Sequence, residues 1–127
     1  MMITLSVCND ELKTARLFKE NDLEQNENSL CLIASDKSND LGFCLFDLTG
    51  ETIVIRCIEP LNDLSLADGI LRSTLHVGCE RFVMDAYYSE NIPESFFEKL
   101  GFIKEKQKRT LNVDKLFMSC NSCGKEG

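Results

Sequence analysis

An α+β domain built on one central mixed sheet is the fold class this sequence predicts, and three observations predict it. Two apolar runs, Leu41 to Leu48 and Glu51 to Ile58, flank Thr49-Gly50, which is the pattern of a β-hairpin. In that hairpin Cys44, Phe46, Ile53 and Ile55 share one face while Leu45 and Val54 line the other. Apolar residues on both faces mark a central hairpin covered by helices on each side. Second, Glu51 to Ile58, Leu64 to Val77 and Phe82 to Tyr88 read as strand, helix and strand, a β-α-β unit whose crossover is right-handed and whose strands are parallel. Third, RFVMDAYYSENIPESFFEKLGF, from Arg81 to Phe102, reads as a buried strand, a loop, a helix opened by Pro93 and a stop at Gly101.

The elements follow in order. Ile3 to Val7 alternates and reads as a first strand. Asn9 or Asp10 caps a helix over Glu11 to Lys19, with Leu12, Ala15, Leu17 and Phe18 as a loose apolar face. NDLEQNEN, from Asn21 to Asn28, is polar and turn-rich and reads as a loop. Ser29 to Ala34 is the second strand, ahead of the hairpin. Pro60 ends the hairpin's second strand. Asn62 or Asp63 then caps the long helix, which turns Leu64, Ala67, Leu71 and Leu75 inward and stops at Gly78. In the short helix Pro93 suits the first turn, where its missing N–H costs nothing. Phe96, Phe97 and Leu100 pack down while Glu94, Glu98 and Lys99 face water. Ile103 to Arg109 reads as a charged edge strand on which Lys104, Lys106 and Lys108 share a face, as edge lysines that discourage further pairing do. Leu111 to Met118 reads as its return.

Size and charge bound the function. The 127 residues suit one domain, here residues 1–119, followed by a cysteine-containing tail, residues 120–127. Hydrophobic residues make up 43% of the chain, enough for a sizeable core. A formal charge of −7 repels phosphate backbones, so nucleic acid is not an expected partner. No apolar run approaches a membrane span, and MMITLSV lacks the basic region and cleavage site of a signal peptide, so a cytoplasmic protein with no membrane partner is expected. Seven cysteines, an odd number without an export signal, read as reduced thiols, most of the first five serving as small core residues.

The strand, loop, short helix and Gly-Phe of the third observation resemble the closing unit of the GNAT N-acetyltransferase superfamily, whose last helix typically ends in a pattern like Tyr-x-x-x-Gly-Phe. FEKLGF supplies Phe97, Gly101 and Phe102. The resemblance covers Ser29 to Arg109; before it, one helix stands where the superfamily usually has two. It implies a GNAT-like (acyl-CoA N-acyltransferase) fold and transfer of an acetyl or other acyl group from acetyl-CoA, as co-substrate, to a primary amine on a small molecule or peptide. The site would lie between the strands Glu51 to Ile58 and Phe82 to Tyr88, where the superfamily's parallel strands splay to admit the pantetheine arm, with Ile58 on its border.

Two departures from the pattern stand out. In the superfamily the cofactor's pyrophosphate sits at the N-terminus of the central helix, where unpaired N–H groups and the helix dipole attract an anion. The signature there is Arg or Gln, two residues, Gly, one residue, then Gly or Ala; PLNDLSLADGILR does not match it. Leu66, Ala67 and Asp68 fall where the glycines belong. One reading makes Asp63 a cap and Asp68 an exposed helical residue. The other is an altered phosphate loop in which Gly69 permits close backbone approach and Arg72 reaches the anion. The second departure is Phe97, which replaces a tyrosine that protonates the departing thiolate and has no proton to give. Tyr88 or Tyr87 can substitute, only one of them facing a cleft; both also read as core or rim residues. Asn91 resembles an asparagine that often precedes the closing helix, one residue nearer to it than usual.

Among bases, Glu59, at the end of the hairpin's second strand, is the best-placed carboxylate. Asp85, inside FVMDAYY, is costly to bury unpaired, which marks it either as functional with a raised pKa or as a paired structural acid. The lone His76 reads as a surface residue near a helix end. Cys120 and Cys123 form a C-x-x-C that reads as a structural tail, a metal site needing further ligands, or a dithiol; a homodimer could share one metal through four tail thiols. Beside the enzyme stands a second expectation, a non-catalytic module of the same fold that binds a partner or small ligand, favoured by the acidic loop and the missing signature.

Overall fold

The computed structural model describes residues 3–37 and 39–116. One sheet of seven strands runs β1 (Thr4–Val7), β2 (Ser29–Asp36), β3 (Asn39–Leu48), β4 (Thr52–Glu59), β5 (Asp85–Tyr88), β7 (Thr110–Leu111), β6 (Ile103–Glu105) across its width. Only β4 and β5 pair in parallel, from Thr52 opposite Asp85 to Ile55 opposite Tyr88; the other neighbours are antiparallel. The sheet is therefore mixed, as the central hairpin and the β-α-β unit require.

Helix α1 (Glu11–Glu20) covers one face, where Phe18, Cys31, Ile33 and Leu45 form a small core. Asp10 is its cap, accepting from the N–H groups of Leu12 and Lys13. Helices α2 (Leu64–Glu80) and α3 (Glu94–Leu100) cover the other face. There Cys44, Phe46, Ile53, Ile55 and Ile58 meet Ala67, Ile70, Leu71 and Leu75 of α2, and Ala86 and Tyr88 meet Phe96 and Phe97 of α3 in one continuous core. Leu45 and Cys44 lie on opposite faces as their alternation predicts.

The helix ends correct the sequence reading in two places. Gly101 closes α3 in the left-handed region, φ 78°, as expected of Gly-Phe. Gly78 does not close α2, which runs on to Glu80. Gly78 is buried at a close approach instead: a Cβ there would meet the Val83 carbonyl at 3.1 Å and Ile53 at 3.5 Å. The stop falls beyond it, where the Arg81, Phe82 and Val83 N–H groups bond back to the carbonyls of Gly78 and Cys79. Phe82 consequently takes a left-handed φ of 63° with its ring 91% exposed, and β5 begins only at Asp85. A buried strand from Phe82 was expected; the turn that ends α2 uses those residues.

The last strands differ as well. The edge strand is only Ile103–Glu105, residues 106–109 form a turn, and β7 is two residues before a helical turn at Asp114 to Leu116. Lys106 and Lys108 therefore sit on a turn and not along a strand face. Phe117 and Met118, and the tail with Cys120 and Cys123, lie outside the described residues.

Candidate functional site

The parallel pair opens where β5 ends. The Ser89 N–H still donates to the Ile55 carbonyl at 2.9 Å, but no residue of β4 beyond Ile55 is paired with β5. Cys57, Ile58 and Glu59 keep their partners on the β3 side, opposite Leu45, Cys44 and Phe43. Their other edge leaves the ladder, and its main-chain groups are available to an extended ligand. The β3–β4 register slips at this point: Leu45 faces Cys57 and Phe46 faces Ile55, so Arg56 is an extra residue, a β-bulge. The bulge puts Arg56 and Cys57 toward α1 and returns Ile58, 2% exposed, to the α2 core. Without it, alternation would send Ile58 to the wrong face.

Several contacts hold the opening in shape. The Asn91 amide donates to the Arg56 carbonyl at 3.1 Å, tying the β5–α3 loop to the bulge. The Arg56 guanidinium pairs with Asp47 at 3.2 Å, donates to the Glu24 carbonyl at 2.6 Å and lies 5.6 Å from the Phe18 ring centre. On the far side of β4, Gly42 lets strand and helix close up: a Cβ there would stand 2.5 Å from the Glu59 carbonyl oxygen and 2.8 Å from Ile70. Sequence reading placed Asn91 at the site through the resemblance alone and missed Arg56 and Gly42. A bulge leaves no mark in apolar alternation when the extra residue is a half-buried arginine.

Tyr88, the last residue of β5, turns its ring into the core against α3. Its ring lies 4.4 Å from that of Phe97, centre to centre, and its hydroxyl is buried without a hydrogen-bond partner among the described residues. Burial, reinforced by the Glu94 charge, pushes the phenol pKa above its ordinary value. Tyr87 points to the opposite face, beside Val54 and Arg56. Phe97 thus packs its ring against that of Tyr88, the one of the two β5 tyrosines that faces α3.

Glu59 is exposed at the end of β4, in a cleft shared with Lys13, Asp40 and Gly42. Asp85 needs correction. It is exposed at the start of β5, opposite Thr52, at the far end of the pair from Ile58 and Glu59, so the burial argument for it fails. His76 is exposed on α2, 4.0 Å from Glu80, as a surface residue.

The N-terminus of α2 is already provided for. Asp63 is its cap and accepts from the Leu66 N–H at 3.2 Å. Asp68 pairs with Arg72 at 2.8 Å, and the Arg72 guanidinium lies 5.1 Å from the Phe102 ring centre. Arg72 therefore does not point to a free anion site. Ala67 is fully buried in the core and Leu66 packs against it. Gly69 lies inside the helix, lining a cavity with Ile3, Leu5 and Leu41 on the β1 side of α2, so it does not serve close approach at the cleft. The altered phosphate loop built on Leu66, Ala67, Asp68, Gly69 and Arg72 is not what these residues form. Among the described residues no group of His, Cys, Asp and Glu is arranged to hold a metal, and no helix is long and apolar enough to cross a membrane.

No family model matches this sequence, and no curated protein matches it. Solved structures do match. A protein of Exiguobacterium sp. 255-15 assigned as an acetyltransferase superposes with a TM-score of 0.60 at 15% identity, over 95% of this chain and 99% of its own. YhhK from E. coli, assigned as an N-acetyl transferase and solved bound to coenzyme A, gives 0.59 at 14% identity over 84% and 94%. The ribosomal-protein-S18-alanine N-acetyltransferase from Escherichia coli gives 0.58 at 16% identity over 86% and 88%. Identities this low speak to architecture, and the architecture agrees along nearly the whole chain: seven strands in a mixed sheet, flanked by helices, make this the GNAT, or acyl-CoA N-acyltransferase, fold.

Proposed function

We propose that the protein transfers an acyl group, acetyl in the simplest case, from coenzyme A to a primary amine at the opening between β4 and β5. The observation that carries this reading is the open edge of β4 from Cys57 to Glu59, where its parallel pairing with β5 stops, in a GNAT fold. An extended pantetheine arm has two amides, and an unpaired strand edge is the donor and acceptor set that suits them. The fit is poorer at the anionic end. Asp63 offers its own carboxylate to the Leu66 N–H, one of the first-turn groups that a pyrophosphate would use. The coenzyme would be held mainly through its arm and weakly through its phosphates.

The thioester would supply an activated acyl group to an attacking neutral amine. A main-chain N–H of the open edge, in the region of Ile58, would polarise its carbonyl. Tyr88, kept protonated by burial, would give its proton to the departing thiolate. Glu59, exposed at the strand end, would accept the proton of the amine. Asn91 would act by position, holding the loop that carries the opening.

Isothermal titration of acetyl-CoA into the reduced protein tests the reading. Micromolar binding that weakens in Ile58→Pro, which removes one N–H from β4, supports it. Absence of binding at millimolar acetyl-CoA overturns it. The second reading, a non-catalytic module of the same fold, draws on the occupied α2 N-terminus and the Asp68–Arg72 pair; it predicts that titration blank.

A further inference from the structure

A cavity of about 470 Å³ opens beside the β4–β5 divergence on the α1 face, lined by Arg56, Tyr87, Glu90, Asn91, Lys108 and Arg109 among others. Its charge is unusual for this molecule. The chain carries −7 overall, yet residues 104–109 hold Lys104, Lys106, Lys108 and Arg109 against the single acid Glu105. Protection of a sheet edge does not account for them, because residues 106–109 are a turn.

That turn is fixed on both sides. Lys106 reaches Glu98 at 3.2 Å and Glu94 at 3.9 Å, clamping it to α3. The Tyr88 N–H donates to the Arg109 carbonyl at 3.1 Å, clamping it to β5. Arg109 itself is held at φ 51°, a conformation that an arginine adopts only at a cost. Its side chain lines the cavity.

The cations there are not equally committed. Arg56 is met by Asp47 at 3.2 Å. Lys108 has Glu105 at 3.7 Å on an exposed turn, a weak pairing. Arg109 makes no ion pair with any described residue. Glu90, next to Asn91, also lines the cavity and offers the opposite sign. The lining therefore offers cations to an anion and a carboxylate to an ammonium.

We infer that the acyl acceptor is a zwitterion, an amine that also carries a carboxylate or a phosphate, with Arg109 and Lys108 taking the anion and Glu90 guiding the ammonium toward the open edge of β4. This rests on the acyl-transfer reading above. Bidentate geometry makes Arg109 the principal contact for either oxyanion.

Matched pairs of amines test it, scored by release of free coenzyme A thiol from acetyl-CoA: lysine against cadaverine for the carboxylate, and phosphoethanolamine against ethanolamine for the phosphate. Acetyl-CoA binding is measured first by titration, so that failure of the acyl-transfer reading shows as a blank titration and is separate from the outcome here. With binding present, the anionic member of one pair should be turned over with the higher kcat/KM, and which pair responds identifies the anion. Lys108→Glu with Arg109→Glu should lower that kcat/KM by about tenfold or more, the scale of a charge-assisted contact, and leave the acetyl-CoA Kd unchanged. Faster turnover of the partners that lack the anion, no turnover of any amine that carries one, or an unchanged preference in the double variant overturns the assignment. Lys108→Gln with Arg109→Gln guards against misfolding and should show the same loss in smaller measure.

Discussion

At the scale of single residues, Tyr88 and Gly42 carry the sharpest consequences. The Tyr88 hydroxyl is buried with nothing described to bond to, and a buried polar group without a partner costs about 1–3 kcal/mol. Tyr88→Phe should therefore leave stability unchanged or raise it, as read by urea denaturation. The same variant should lower acyl transfer by about a hundredfold if the phenol is the general acid. A destabilised Phe variant would mean that the hydroxyl has a partner in solution. Gly42 is different in kind. Its place is set by the Glu59 carbonyl and Ile70 on either side, and Gly42→Ala should cost about 1–3 kcal/mol by overpacking, with a matching drop in the urea midpoint.

At the scale of elements, the first turn of α2 opposes stability and ligand binding. Asp63 caps the helix, so Asp63→Ala should cost about 1 kcal/mol of stability. Removing that carboxylate also frees the Leu66 N–H and takes a negative charge from the place a pyrophosphate would occupy. Acetyl-CoA should then bind more tightly to a less stable protein, which a thermal melt and a titration on the same sample will read. Unchanged binding in that variant would show that the coenzyme's phosphates lie elsewhere. Between β5 and α3, Asn91→Ala removes the bond to the bulge carbonyl and should raise KM for acetyl-CoA with little change in melting temperature.

At the scale of the whole molecule, the buried thiols tie folding to alkaline pH. Burial pushes Cys57 up to about 11 and Cys31 up to about 12, and raises Cys44 further. In the unfolded chain each thiol loses its proton near pH 8.5. The folded state therefore binds more protons above that pH, and stability falls as pH rises. This contribution is complete below about pH 8.5 and is lost progressively up to the folded values. Urea midpoints taken from pH 7.5 to pH 10.5 should decline, and Cys31→Val with Cys57→Val should flatten the decline. An unchanged slope in that variant would remove the thiols as its source. Native protein should also leave Cys31 and Cys44, both nearly inaccessible, unmodified by iodoacetamide.

Local chemistry carried much of this architecture. Alternation over 41–58 and the crossover through α2 were enough for a mixed sheet covered on both faces, because period-2 and period-3.6 burial are properties of short segments. Asp10, Asp63 and Gly101 end their helices as their side chains or lack of one dictate. The neighbourhood of the opening was legible in part: Ile58, Tyr88 and Asn91 lie in the segments where β4 and β5 part, while Glu59 sits in a separate cleft with Lys13 and Asp40, Asp85 lies at the other end of its strand and Arg72 pairs with Asp68 within α2. What tertiary structure alone decided is where strands part and which charges remain unspent. The bulge at Arg56, the pairing of Arg72 with Asp68 and the turn that brings Arg109 beside Tyr88 all depend on residues far apart in the chain or on register between strands. No segment read by itself contains that information.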